Sequence, residues 1–150
     1  VNVGLGTDGA ASNNDLDLWE EIRMAALLHK VASGNPTALP AQQALAMATR
    51  LGAGAVRLGD SVGQLKVGMQ ADIIQLQLGA THQQPLYDVV SHLVYVMDST
   101  DVVTTIVAGK VLMQDRQVQT IDEQALREAV AKTSHEIRTA LREARAPASE

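Results

Sequence analysis

The chain has no cysteine and no phenylalanine, and its aromatic residues are one tryptophan and two tyrosines in 150 positions. Without thiols there can be neither disulfides nor thiolate metal sites, and a reducing, cytoplasmic location is the expectation. Without phenylalanine the core must be aliphatic. No apolar run is long enough to span a bilayer and no stretch reads as a signal peptide, so no membrane partner is expected. No basic cluster offsets the formal net charge of -5, which argues against a nucleic-acid surface. There is no G-x-S-x-G and no serine with a plausible triad around it. The four histidines, His29, His82, His92 and His135, form neither H-x-H nor H-E-x-x-H, so no local pair makes a metal site.

At 46% hydrophobic residues, the composition suits a soluble domain large enough to bury a core. Its first segment, VNVGLG, reads as a buried strand that starts midway, which suggests a piece of a larger protein. Inside that segment GLGTDG (4–9) matches G-x-G-x-x-G, the phosphate-binding turn of dinucleotide folds. Three features reject that reading. The carboxylate of Asp8 would repel a pyrophosphate approaching bare backbone N–H groups. Residues 10–14 separate the glycines from the first helical periodicity. The position where a ribose-binding acid should end a second strand falls within a helix, at 26–30.

The pattern along the chain predicts a strand over 2–6 and a helix over 15–33 with Leu18, Ile22, Ala25 and Leu28 on one stripe. Asn14, Asp15 and Asp17 compete as its cap, and His29, Lys30 and Gly34 mark its end. Pro40 suits the first position of a second helix over 41–50, and the small residues 52–55 allow a further, closely packed short helix. From Gly59 the composition changes. Residues 63–68 are turn-like, and 71–78 partly alternate as a strand does. A polar loop over 79–85 leads into 88–95, which fits helix or strand. Ala108-Gly109 joins strands 102–107 and 110–113 in a hairpin. Thr120 with Glu123 forms a capping box ahead of a terminal helix whose apolar stripe is Leu126, Val130, Thr133, Ile137, Leu141 and Ala144.

Asp8 is the strongest candidate for chemistry. It follows the last apolar residue of the first segment, in a glycine-rich loop that lets a ligand approach closely, and in parallel α/β barrels the catalytic groups sit at carboxyl ends of strands. An Asx-turn that caps the loop accounts for the same residue equally well. Ser12, Asn13 and Asn14 suit substrate contact or capping alike. His29 reads as a charge at a helix C-terminus, His135 as solvent-facing, His82 as a surface loop residue, and Trp19 as a core anchor. One aspartate does not make a catalytic zinc site, which needs about three protein ligands and an open position. The chain has the pattern of an unfinished active site.

GTDGAASNN (6–14) followed by DLDLWEEIR (15–23) resembles the end of the barrel in the amidohydrolase superfamily. More narrowly it is similar to the methylthioadenosine/S-adenosylhomocysteine deaminases and their triazine-chlorohydrolase relatives. ATRLGAGA (48–55), GQLKVGMQADIIQL (63–76) and TIVAGKVL (105–112) follow in the order and spacing of that group. The resemblance implies an α/β fold: the last βα unit of a metal-dependent (β/α)8 barrel over 1–58, a small β-rich composite domain over 59–119, and a C-terminal helix over 120–150. It implies that Asp8 binds the catalytic metal, usually zinc, and activates water. The histidine pair, the further metal-binding histidine and the catalytic glutamate and histidine of the group have no counterpart here. The function so implied is hydrolytic deamination of an adenine-type nucleoside, a small-molecule substrate, by a homo-oligomeric full-length enzyme. Dechlorination or deamination of a triazine or other N-heterocycle, and a stand-alone oligomerisation domain without catalysis, are the competing readings.

Overall fold

The structure, a computed structural model, describes residues 1–145. Its elements in chain order are α1 (Leu18–Ser33), α2 (Ala41–Ala48), α3 (Arg50–Ala55), β1 (Ile73–Leu76), α4 (Val89–Tyr95), β2 (Val102–Val107), β3 (Lys110–Gln114), β4 (Gln117–Val118) and α5 (Glu123–Arg145). The four strands form one sheet in the order β1-β2-β3-β4, each neighbouring pair antiparallel.

Asp17 wins the competition to cap α1, its side chain accepting from the N–H of Trp19 at 2.8 Å. Gly34 closes the helix in the left-handed conformation, as the sequence suggests. The buried face of α1 differs from the expected stripe. Ile22 and Ala26 are buried, whereas Leu18 and Leu28 are exposed. The reason is packing: α1 turns its small residues towards α2 and α4, where Ala41, Ala44 and Val94 complete one cluster. Alanines at the contact let the helices approach closely, and each fully buried Ile or Val adds roughly 1.5–3 kcal/mol. Leu5, Leu39, Leu45, Val90 and Tyr95 pack around this cluster, an aliphatic core with one aromatic ring at its margin.

Residues 2–6 do not form the expected strand. Among the described residues no other strand lies alongside them, so there is no ladder to join. The segment is held instead by Leu5 N–H to the Met47 carbonyl at 3.2 Å and by Asn2 Nδ2 to the Leu51 carbonyl at 3.0 Å. Gly4 permits this seat on α3, because a Cβ there would lie 2.8 Å from the Cα of Gly52.

Two side chains of α1 stitch it to the far half of the chain. Trp19 Nε1 donates to the carbonyl of Leu93, and Arg23 Nη2 to the carbonyl of Met97 at 2.6 Å. Carbonyls at the end of a helix have no partner within it, so α1 supplies the donors that the end of α4 lacks. The hairpin of β2 and β3 turns at Ala108-Gly109, both at positive φ (49° and 79°), as a two-residue primed turn requires. A second such turn, Asp115-Arg116 (φ 49° and 62°), adds β4, which the sequence pattern did not reveal.

The cap of α5 is Asp122 rather than a Thr120–Glu123 box, since Asp122 Oδ1 accepts from the N–H groups of both Gln124 and Ala125 at 3.0 Å. An aspartate directly before the first turn is in reach of both N–H groups and also suits the helix dipole. The apolar stripe of α5 is on one face but uncovered: Leu126, Val130, Ile137 and Leu141 are each about half exposed, at 49%, 58%, 54% and 51%. The end of the expected C-terminal helix, 146–150, lies outside the described residues.

Candidate functional site

Asp8 sits at the apex of the loop between residues 2–6 and α1, with φ 61°. This left-handed conformation is costly for most side chains but accessible to aspartate and asparagine. After it the chain makes a tight turn in which Ser12 N–H and Asn13 N–H both donate to the Gly9 carbonyl, at 3.0 and 2.9 Å. Asn13 then ties the loop to the helix. Its Nδ2 donates to the Thr7 carbonyl at 3.0 Å and lies 3.3 Å from Glu21 Oε1, while its Oδ1 accepts from Asp15 N–H at 3.2 Å. The other carboxylate oxygen of the cap Asp17 accepts from Ser99 Oγ at 2.6 Å, so the far end of the loop is also pinned.

The Asp8 carboxylate is exposed and held by two hydrogen bonds. Oδ2 accepts from Ser12 Oγ at 2.7 Å and Oδ1 from the Gly9 N–H at 2.8 Å. The Ser12 hydroxyl, and after it the Gly9 N–H, hold the carboxyl below the usual aspartate range. At neutral pH Asp8 is therefore an anion with acceptor capacity left on both oxygens. That is the chemistry of a hard-metal or zinc ligand and of a proton acceptor.

The other candidates lie elsewhere. His29 and His135 are exposed on α1 and α5, and His82 is exposed in a short 3-10 turn at Thr81–Gln83. His92, in α4, shares a hydrogen bond of 2.7 Å between its Nε2 and the Gln83 carbonyl. Asn14 is exposed, and Trp19 is half-buried with its indole N–H engaged. Among the described residues no three metal-ligating side chains come together. The described residues thus offer the single carboxylate of Asp8 at this loop and no complete donor set for a metal.

Two features had no signal in the sequence. Glu21, which backs Asn13, is one acid among several in the first turns of α1. Gln83 and Asp101 form a buried polar pair, with Gln83 Nε2 donating to Asp101 Oδ1 at 2.9 Å. Gln83 Oε1 accepts from the N–H groups of Gly79 and Ala80, at 2.8 and 3.0 Å, and Asp101 Oδ2 from Asp98 N–H at 3.1 Å. This pair is structural: it satisfies loop backbone groups between β1 and β2.

An irregular entry segment, an aspartate in the glycine-rich loop that follows it and, beyond that loop, the helix α1 make up the site. Residues 1–112 match the amidohydrolase family, and the chain belongs to that family. Within it, a 5'-deoxyadenosine deaminase from Methanosarcina mazei is 56% identical over 137 residues, which cover 91% of this chain and 31% of that protein. A 5-methylthioadenosine/S-adenosylhomocysteine deaminase from Pelotomaculum thermopropionicum is 55% identical over 124 residues, covering 83% of this chain and 28% of that one. Among solved structures, a zinc-bound adenosine deaminase from Xanthomonas campestris superposes with a TM-score of 0.88 at 41% identity, covering 93% of this chain and 32% of its own. The zinc complex of an atrazine chlorohydrolase from Arthrobacter aurescens gives 0.76 at 32% identity, over 90% of this chain and 29% of its own. The chain thus spans about a third of the length of the relatives it matches.

Proposed function

We propose that this chain is the C-terminal portion of a zinc-dependent amidohydrolase that hydrolytically deaminates an adenine-type nucleoside. In this reading residues 1–58 belong to the end of its barrel, 59–119 to a segment of its small β-rich domain, and α5 to its C-terminal helical part. The observation that carries the reading is the Asp8 carboxylate: anionic, exposed, and oriented by one hydrogen bond on each oxygen. The names of the two deaminases more than half identical to this chain support the substrate class. So does the zinc-bound adenosine deaminase that superposes most of it.

In this reading Asp8 is one metal ligand, and the remaining donors come from outside the described residues. A zinc ion held there supplies Lewis acidity and brings the pKa of a water molecule towards neutrality. Asp8 would take a proton from the attacking water and deliver it to the departing amino group, which leaves as ammonia. Water adds its oxygen to the ring carbon, the C–N bond breaks, and the net reaction is a hydrolysis with no redox change. The Ser12 and Gly9 bonds keep the carboxylate ionised and fix its orientation. A second reading, hydrolytic dechlorination of a triazine, is favoured by the superposition on the atrazine chlorohydrolase. It ranks below deamination because the deaminases are the more similar in sequence.

The test is Asp8→Asn in the full-length polypeptide, assayed with 5'-deoxyadenosine. Asparagine keeps the size, tolerates the left-handed backbone and caps a turn as well as aspartate does, but it is not basic. The expected result is a fall in kcat of at least ~10²-fold, the scale of a lost general base. Activity within a few-fold of the parent would overturn the proposal and leave Asp8 as a turn residue.

A further inference from the structure

We infer that Ser12 is the positioning residue of Asp8, its hydroxyl setting the plane of the carboxylate so that both oxygens face their tasks at a fixed angle. The inference rests on the reading of Asp8 as metal ligand and proton acceptor.

The terminal torsion of an aspartate side chain is broad and soft. A single bond, from the Gly9 N–H to Oδ1 at 2.8 Å, fixes one oxygen but leaves the other free to swing about it. The Ser12 bond to Oδ2 at 2.7 Å removes that freedom. It joins a neutral donor to an anion, and such charge-assisted bonds are shorter and about twice as strong as neutral ones. Each oxygen spends one acceptor position on the loop and keeps another for a ligand.

The Ser12 Oγ also lies 3.0 Å from the Gly9 carbonyl, so a purely structural role in the turn is the alternative. The geometry separates the two. The turn is closed by backbone bonds that need no side chain, Ser12 N–H and Asn13 N–H to the Gly9 carbonyl. Removing the hydroxyl therefore leaves the turn closed and frees the carboxylate.

The experiment compares Ser12→Ala, Ser12→Thr and Asp8→Asn in the full-length zinc-loaded polypeptide. Its readouts are kcat and KM with 5'-deoxyadenosine, zinc affinity by competition with a chelator, and the thermal midpoint. Groups that orient metal ligands typically contribute ~10- to 100-fold in metal affinity or activity, so Ser12→Ala is expected to lose that much in kcat and in zinc affinity, with KM and the midpoint little changed. Ser12→Thr, which retains the hydroxyl, is expected to recover most of the loss. Equal losses in the alanine and threonine variants would overturn the inference, because the defect would then follow shape and not the hydroxyl. A Ser12→Ala variant with parental kcat and zinc affinity, beside an inactive Asp8→Asn, would overturn it while leaving the proposed function standing. A fully active Asp8→Asn would remove both.

Discussion

The ammonium nitrogen of Lys30 lies 3.2 Å from Tyr95 Oη, and it reaches three carbonyl oxygens as well: Ala26 at 2.7 Å, Ala38 at 2.9 Å and Leu39 at 3.1 Å. One side chain thus joins the end of α1, the loop before α2 and the end of α4. Lys30→Met keeps most of the stem and deletes every donor. The loss of charge-assisted bonds to partly buried carbonyls should cost about 1–3 kcal/mol. Thermal unfolding of the full-length polypeptide would show it as a lowered midpoint, and an unchanged midpoint would mean that water replaces the ammonium without loss.

The 150-residue chain by itself should neither retain zinc through dialysis nor deaminate 5'-deoxyadenosine. On the proposed reading Asp8 is one ligand where about three are needed. Exposed apolar side chains on α5 and an unpaired segment at 2–6 also make aggregation or partial unfolding the expected state of the isolated chain. Metal analysis after dialysis, with turnover and light scattering on the same sample, checks all three. Stoichiometric zinc with turnover, in a monomer that melts sharply, would contradict the composite-site view.

Gly63 and Gly68 provide a matched pair. Both have φ 91°, but a Cβ at Gly63 would meet Ala53 Cβ at 2.8 Å and Thr49 O at 3.1 Å, whereas Gly68 has nothing within 4 Å. Gly68→Ala should cost only the backbone strain, about 1–2 kcal/mol. Gly63→Ala should cost clearly more, because α3 must also shift. Equal midpoints for the two variants would show that the contact at Gly63 relaxes freely.

Acid should weaken the α4 cap. Asp88 Oδ1 accepts the Ser91 N–H at 2.7 Å, and that bond holds the carboxyl below the usual aspartate range. A carboxylate with a lowered folded pKa contributes stability that is fully present above its unfolded value of about 3.9 and is lost as pH falls through the folded value. Asp88→Asn keeps a capping oxygen and does not titrate. Denaturation curves from pH 5 to 2 should therefore bring parent and variant closer together as pH falls. A gap that stays constant would assign Asp88 no part in the acid response.

Much of this fold is visible in the pattern of residues, because local signals agree with it. Gly34 ends α1 and Ala108-Gly109 turns the hairpin, each through the conformation its residue type permits, whereas 88–95, open between helix and strand in the pattern, is settled as α4 by the Asp88 cap. What escapes the pattern depends on tertiary neighbours. Residues 2–6 alternate like a strand but have no ladder partner among the described residues. Leu18 and Leu28 are as apolar as Ile22, yet only Ile22 faces α2 and α4. Ahead of α5, Thr120 and Asp122 are both good caps, and only the backbone path chooses Asp122. At the candidate site Asp8 stands out by its loop. The matching of Ser12 to one oxygen and Gly9 to the other is a fact of three-dimensional geometry that spacing alone does not contain.

The stitches from Trp19 to Leu93 and from Arg23 to Met97 each join residues 74 apart in the chain. Closing a flexible loop of that length costs on the order of 4 kcal/mol of chain entropy beyond a constant, whereas the β2–β3 turn encloses two residues, Ala108 and Gly109. Local pairings should therefore appear first in folding, and the α1–α4 seam should close late, once the hairpin and helices exist to be brought together. During that interval the segment that places Asp8 is joined to a helix that has not yet docked. The loop carrying the carboxylate would be among the last parts of the chain to acquire its final shape.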